Sequence, residues 1–429
     1  ELKGSQTTLA NEPTIQTASI IAETIGETSL TLKVQLGNGG EHIIIAKQGS
    51  AVNQFPVDGK GYTDNLIFEK GTDLGAGNYV VYKGTNTQIT VTGLKSGSTY
   101  NFACLEYNGS TLAANNYLSN NPALLTQQTV LSEPTTQASN IVFSGVTESS
   151  LALKWTRGNG LNCIVLAKEA STVANLPQDG SSYTANTVFG SGGDLGAGTY
   201  VVYNGNSNST EVKGLRSNIE YFFSVFEYNG TGNTINYFTS VPTKGSDTTL
   251  TAEPTLAASN LSFSSVLGDR MTLQFTAGKG TKRIVVARKG GAVNQVPHDG
   301  ISNYEANAKF GSGFDLGGGN YVIFNGSESS VTTTGLVGAT SYHYAVFEYN
   351  GDKGVSNYRT SDFLTGVQAT LEDEPGAQAS AIKFSNITEN SVTVSWTGGG
   401  SSNRLLVARA GQINKEPQDG VQYTADEVF

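Results

Sequence analysis

Histidine and cysteine are nearly absent from this chain of 429 residues, which contains 3 His and 2 Cys. These side chains supply much of the acid–base, nucleophilic and transition-metal chemistry of proteins, and two cysteines cannot form a disulfide framework. Their scarcity argues against most classes of enzyme. We therefore expect no catalytic activity, no metal and no cofactor.

Basic charge is also scarce. Lys and Arg total 26 against 36 Asp and Glu, which gives a net charge of −10, and charged residues make up only 14% of the chain. Proteins that bind nucleic acid or anionic lipid use clusters of Lys and Arg. A membrane-spanning helix needs roughly 18 consecutive apolar residues, and the sequence has no such run. We expect neither a nucleic-acid partner nor direct membrane insertion.

What the chain has instead is internal repetition. A Glu-Pro pair begins at positions 12, 133, 253 and 374, so the period is 120 or 121 residues. We divide the chain into the tail of a preceding repeat (1–11), repeat 1 (12–132), repeat 2 (133–252), repeat 3 (253–373) and the N-terminal half of repeat 4 (374–429). Because an isolated half sandwich would leave apolar strand faces uncovered, we expect the chain to be a window on a longer polypeptide.

The repeats have the periodicity of β-strands. Apolar and polar residues alternate over 150–155, whereas 164–167 and 284–287 are continuous apolar runs of the kind found in buried strands. Gly, Asn and Asp bound these runs at turn positions. Many short strands with regular turn signals predict an all-β chain of antiparallel β-sandwiches.

One segment is more specific. Residues 93–100 read Gly-Leu-Lys-Ser-Gly-Ser-Thr-Tyr, and 214–221 and 335–342 repeat the pattern. This segment resembles the corner between strands E and F of a fibronectin type III domain. The resemblance implies that the Tyr hydroxyl bonds to the backbone across the corner and that the Leu fills the core. It also implies a core aromatic on strand B, matched here by Val34, Trp155, Phe275 and Trp396.

The repeats exceed the usual length of that family, and we expect the extra residues, between strands C and E, to form an additional hairpin. The pattern as a whole resembles repeats of very large secreted and surface proteins (adhesins) of Bacteroidota bacteria. The fold class is thus predicted as tandem immunoglobulin-like, fibronectin type III-like sandwiches in an elongated rod. Each repeat should add about 35 Å of length.

An aspartate recurs in the pattern Pro-x-Asp-Gly, at Asp58, Asp179, Asp299 and Asp419. Such a residue can bind calcium, but a calcium site needs six to eight oxygen ligands and each loop supplies one carboxylate. An Asp-Gly turn, in which Gly adopts the strained conformation, is the favoured interpretation.

The tetrapeptide Glu-Tyr-Asn-Gly recurs at 106–109, 227–230 and 348–351. For the glutamates we expect a structural hydrogen bond or a solvated face. Tyr107, Tyr228 and Tyr349 are candidate ligand-binding residues that could stack on sugars, although strand tyrosines more often form cross-strand pairs. The variable loops that follow, 110–116, 231–236 and 352–357, are the first candidates for ligand contact.

The His and Cys positions favour packing roles. His42 occupies the strand C position held by Cys163, Arg283 and Arg404 in the other repeats, and Cys104 aligns with two valines. A catalytic role for His42 is therefore not expected, and Cys104 should be a buried apolar substitute.

These features favour an extracellular or cell-surface protein whose repeats act as a non-catalytic stalk, adhesin or surface fibre. The partners expected are neighbouring repeats of the same chain, together with surface glycans or other cell-surface proteins. The alternative is that the repeats are spacer modules of a secreted polysaccharide- or protein-degrading enzyme whose catalytic domain lies outside this window.

Overall fold

The structure is a computed structural model that describes residues 6–301 and 303–429. The chain forms two compact units that divide between Thr248 and Thr249. Within the described ranges the only helices are three short 3-10 turns, Leu112–Ala114, Gly232–Thr234 and Lys353–Val355. None of these described helices could cross a membrane. The all-β prediction is confirmed.

Repeats 1 and 2 lie in the first unit. The strands of repeat 1 are β1 (Ser19–Ile25), β2 (Ser29–Gln35), β3 (Glu41–Gln48), β4 (Tyr79–Gly84), β5 (Gln88–Thr92), β6 (Thr99–Asn108), β7 (Asn116–Tyr117) and β8 (Ala123–Gln128). Those of repeat 2 are β9 (Ser139–Ser144), β10 (Ser150–Thr156), β11 (Asn162–Glu169), β12 (Thr199–Gly205), β13 (Ser209–Lys213), β14 (Glu220–Asn229), β15 (Asn236–Tyr237) and β16 (Thr243–Thr248).

Repeat 3 and the residues of repeat 4 lie in the second unit. The strands of repeat 3 are β17 (Ser259–Ser264), β18 (Arg270–Thr276), β19 (Lys282–Lys289), β20 (Asn320–Gly326), β21 (Ser330–Thr334), β22 (Ser341–Asn350), β23 (Asn357–Tyr358) and β24 (Leu364–Ala369). In repeat 4, β25 (Ser380–Ser385) pairs with β26 (Thr393–Thr397).

Two antiparallel sheets make up each of repeats 1 to 3. We name the equivalent strands A, B, C, C′, E, F and G in chain order, with the two-residue strand (β7, β15, β23) between F and G. Strands A, B and E form one sheet, and C′, C, F and G form the other. A buried apolar core fills the space between them in each repeat. This is the sandwich architecture that fibronectin type III domains share with immunoglobulin domains.

The corner between strands E and F is as the resemblance implies. The hydroxyl of Tyr100 accepts a hydrogen bond of 2.9 Å from the backbone N–H of Lys95, and Leu94 is buried. The same bond recurs in the other repeats, from Arg216 to Tyr221 and from Val337 to Tyr342.

The strand B positions behave as expected in repeats 1 to 3. Val34, Trp155 and Phe275 are all buried in the core. Trp396 is 40% exposed, because the described residues of repeat 4 place no second sheet over its strand pair.

The long segment between strands C and C′ covers the outer face of the C–F sheet. In repeat 1, Val52, Phe55 and Leu74 from this segment pack with strand C residues such as Ile43 in a second apolar cluster. Equivalent clusters form in repeats 2 and 3. Strand C is thus buried on both faces, which explains its continuous apolar runs.

The additional hairpin is short. In repeat 2, Asp194 bridges to Tyr200, and the N–H of Leu195 donates to the carbonyl of Thr199. The turn between them contains Gly196 and Gly198, both at positive φ, which glycine adopts without steric cost. The rest of the inserted segment is irregular.

Candidate functional site

The Glu-Tyr-Asn-Gly motif lies at the end of strand F. The linker that precedes each of repeats 1 to 3 runs past this end of the strand. Asn108 in this motif pairs with Asn116 of the following short strand, so the two side chains lie side by side. We call the two asparagines of each repeat the linker clamp. Its members are Asn108 and Asn116 in repeat 1, Asn229 and Asn236 in repeat 2, and Asn350 and Asn357 in repeat 3.

Each clamp binds two consecutive backbone carbonyls of the linker. In repeat 2, the side-chain amide of Asn236 donates to the carbonyl of Leu131, and that of Asn229 donates to the carbonyl of Ser132, both at 2.8 Å. The equivalent bonds in the other repeats are 2.7 to 2.9 Å long and go to Ala10 and Asn11 and to Thr251 and Ala252. The clamp therefore satisfies carbonyls that sheet hydrogen bonds do not reach.

The loops that the sequence singled out for ligand contact also hold the linker. The carbonyl of Thr234 accepts a hydrogen bond from the N–H of Leu131 at 3.4 Å, and the carbonyl of Val355 accepts one from Thr251 at 3.0 Å. In repeat 1 the N–H of Ala10 donates to the carbonyl of Ala114 at 2.8 Å. Ligand contact by these loops stays a prediction, and their observed partner is the chain itself.

The linkers that follow repeats 1 and 3 are each bound at their start to the repeat that they leave. The N–H of Val130 donates to the carbonyl of Gly26, and the Val130 carbonyl accepts from Gly97. The hydroxyl of Thr129 donates to the carbonyl of Lys95 at 2.7 Å. In the second unit, Leu371 bonds in the same way to Leu267 and Ala339, and Thr370 to Val337.

One side chain joins repeats 1 and 2 directly. Glu27, in the turn between strands A and B of repeat 1, accepts hydrogen bonds from the N–H of Glu133 at 2.9 Å and from Asn236 at 2.7 Å. Carboxylate acceptors make stronger bonds than neutral ones. Glu27 of repeat 1 and the clamp of repeat 2 thus both bind the chain at this junction.

The glutamate of the motif is buried in every repeat: Glu106, Glu227 and Glu348 are each at most 1% exposed. Of the two expectations, the structural hydrogen bond is confirmed and the solvated face is wrong. Glu106 accepts from the hydroxyl of Thr17 at 2.9 Å and from the N–H groups of Gly37 and Gly39 at 2.8 and 3.1 Å. The carboxylate thereby connects strand F to the segment just before strand A and to the loop between strands B and C.

The cation beside this glutamate differs between repeats. In repeat 2, Arg157 pairs with both oxygens of Glu227 at 2.8 Å. In repeat 3, Arg283 pairs with Glu348 at 3.1 and 3.4 Å from a different position, on strand C. Arg157 directly follows strand B, whereas Arg283 lies on strand C, so their shared role is not visible as a recurring residue.

Tyr107, Tyr228 and Tyr349 are buried, with 2%, 6% and 2% of their surface exposed. Each ring packs against the tyrosine of the short strand, with ring centroids 5.0, 4.9 and 4.6 Å apart. The hydroxyls donate to Glu41, to Asn204 and to Asn325, respectively. Burial raises the pKa of all three. Sugar stacking stays a prediction, and the structure places these rings in cross-strand pairs.

The Pro-x-Asp-Gly aspartates bind a distant backbone group. The carboxylates of Asp58, Asp179 and Asp299 each accept a hydrogen bond of 2.8 Å from the N–H of the short-strand tyrosine, Tyr117, Tyr237 and Tyr358. The following glycines have φ of +71° to +74°, so the turn interpretation holds. The carboxylate also connects the long C–C′ segment to the short strand that carries one of the clamp asparagines. Within the described ranges, no group of three or more His, Cys, Asp or Glu is placed to hold a metal ion.

Both cysteines are buried and neither forms a disulfide. Burial raises the pKa of the Cys104 and Cys163 thiols to about 12, which suppresses the reactive thiolate. Cys104 is therefore the packing residue that its alignment with valines predicts.

Sequence reasoning missed the clamp asparagines. The signal was present, because an Asn-Tyr pair recurs at 116–117, 236–237 and 357–358. Its meaning depends on the pairing of this short strand with the end of strand F, which the sequence does not reveal.

No family model matches the sequence, and no curated protein matches it. Among solved structures, a two-domain fibronectin type III segment from chicken tenascin is 16% identical, with a TM-score of 0.24, and covers 54% of this chain and 99% of that chain. The FN1–FN3 domains of chicken CNTN1 are 13% identical, with a TM-score of 0.30, and cover 83% of this chain and 98% of that chain. At these values neither likeness assigns an activity or a ligand to the chain.

Proposed function

We propose that this chain is the non-catalytic repeat region of a large secreted cell-surface protein and acts as a stalk or adhesin that holds other parts away from the surface. The observation that carries the proposal is the double attachment of the linker. Residues 129 and 130 bond to repeat 1, and residues 131 and 132 bond to the clamp of repeat 2.

A linker bound at both ends transmits orientation from one repeat to the next. Flexible tethers are long Gly- and Ser-rich segments with solvated backbones, whereas all four residues of this linker, 129–132, take part in its two attachments. The clamp itself recurs in repeats 1, 2 and 3. Such a design suits a spacer of defined length.

The buried glutamates support a structural role for the most recurrent motif. Their oxygens already accept backbone and side-chain hydrogen bonds inside the sandwich. Glycoside hydrolysis requires a pair of carboxylates that flank a substrate, and a single carboxylate engaged in this way does not provide it.

Surface labelling of cells that make the native protein tests the proposal. Antibodies raised against the chain should label intact cells, and brief treatment with an external protease should remove the signal. Labelling only after permeabilisation would overturn the assignment. Hydrolysis of polysaccharide or protein by the purified native polypeptide would favour the enzyme-spacer alternative.

A further inference from the structure

Repeat 1 differs from repeats 2 and 3 in the charge beside its buried glutamate. His42 lies directly opposite Glu106 on neighbouring strands C and F, at the position that Arg283 occupies opposite Glu348. The position that carries Arg157 in repeat 2 carries Leu36 in repeat 1. Among the described residues, neither Lys nor Arg bonds to Glu106, and its oxygens bind Thr17 and two glycine N–H groups.

His42 itself is fully buried, and neither ring nitrogen has a hydrogen-bond partner within the described ranges. Its ring packs against Tyr82 of strand C′, with centroids 5.2 Å apart. The titratable or charged groups nearby are Glu106 and Cys104 on strand F, Glu41 on its own strand, and Tyr82. The neutral imidazole is therefore buried without a hydrogen-bond partner among the described residues.

We propose that repeat 1 is an acid-sensitive element of the array: protonation of His42 places in its core a cation whose ring nitrogens have no hydrogen-bond acceptor, so repeat 1 loses more stability at mildly acidic pH than repeats 2 and 3 do.

The direction of the pH effect follows from two opposing influences on the pKa of His42, burial and the nearby carboxylates. Burial lowers the pKa of His42 below its ordinary value of 6.5, and the attractions of Glu106 and Glu41 oppose this only in part. A base whose folded pKa is depressed contributes stability above its unfolded pKa and loses it as the pH falls. Each unit of difference between the two pKa values raises the opening constant of repeat 1 by up to about tenfold.

Repeats 2 and 3 lack this sensitivity for a chemical reason. Arg157 and Arg283 stay protonated at every physiological pH, so the pairs that they form with Glu227 and Glu348 do not depend on a titrating base. The chain thus contains its own internal controls for the comparison.

Hydrogen exchange followed by mass spectrometry on the full chain tests the proposal. Exchange at pH 7.5 and 5.0, corrected for intrinsic rates, should show a larger loss of protection in β3 and β6 than in β11, β14, β19 and β22. His42→Arg, which installs the repeat 3 residue, should abolish this excess. Equal losses in all three repeats, or an excess that persists in His42→Arg, would overturn it.

A second variant guards against a failure of His42→Arg to fold. His42→Cys installs the uncharged residue of repeat 2 and should also remove the excess loss in repeat 1. NMR titration of the wild-type chain gives a direct reading: His42 should titrate below 6.5. A value above 6.5 would mean that Glu106 pairs with the imidazolium, and would contradict the proposal.

Discussion

The side-chain amide of Asn236 in repeat 2 lies 2.7 Å from the carboxylate of Glu27 in repeat 1, and donates a hydrogen bond to it. The same amide donates to the linker carbonyl of Leu131. A single side chain therefore contacts the preceding repeat and the linker together. These two hydrogen bonds connect repeat 1, the linker and repeat 2 at their junction.

Removal of the Glu27 carboxylate should loosen this junction. Glu27→Ala deletes bonds to Asn236 and to the N–H of Glu133, and we expect a loss of coupling between repeats 1 and 2 of about 1–2 kcal/mol. Distance distributions between spin labels on the two repeats should broaden. Glu211→Ala, which breaks an exposed ion pair with Lys213, is the control and should leave the distribution unchanged.

The tyrosine corner should contribute measurably to the stability of repeat 1. Tyr100→Phe leaves the N–H of Lys95 without its acceptor, at an expected cost of about 1–2 kcal/mol in urea unfolding. Tyr79→Phe is a matched control: its ring also packs on Phe68, and its hydroxyl bonds to no residue that the structure describes. It should change stability by less than about 0.5 kcal/mol. Equal effects would show that the corner bond is dispensable.

The Arg157–Glu227 pair should be the most sensitive point of repeat 2. Arg157→Leu installs the residue of repeat 1 and leaves Glu227, which is fully buried, without its cation. The expected cost is about 3 kcal/mol in the free energy of unfolding. A double-mutant cycle with Glu227→Gln should give a large coupling energy; additive effects would contradict the role assigned to the pair.

The Pro-x-Asp-Gly aspartates should act without calcium. Asp179→Ala removes the acceptor of the Tyr237 N–H and should lower stability by about 1–2 kcal/mol. Thermal unfolding of the wild-type chain should be the same in calcium and in chelator. A midpoint raised by calcium and abolished by Asp179→Ala would restore the calcium interpretation.

Local patterns predicted the framework of each repeat. The Leu and Tyr of residues 93–100 act as the corner resemblance implies, and the apolar runs at 164–167 and 284–287 are fully buried strands. These features depend on short-range alternation and turn chemistry, which a sequence displays directly.

The clamp and the buried glutamates depend on contacts that no local pattern encodes. Asn229 and Ser132 are 97 residues apart, and Glu227 and Arg157 are 70 apart. The motif suggested a ligand site because its residues are polar and recurrent. In repeats 1, 2 and 3 the structure instead places the asparagine of this motif on the incoming linker.

Small-angle X-ray scattering of the full chain in solution tests the central claim most directly. If the clamped linkers hold the repeats as a spacer, three repeats of about 35 Å each give a maximum dimension above about 100 Å. The profile should then show the cross-section of a rod. A compact particle with a radius of gyration of about 22 Å, the value for a globular chain of this length, would contradict the account.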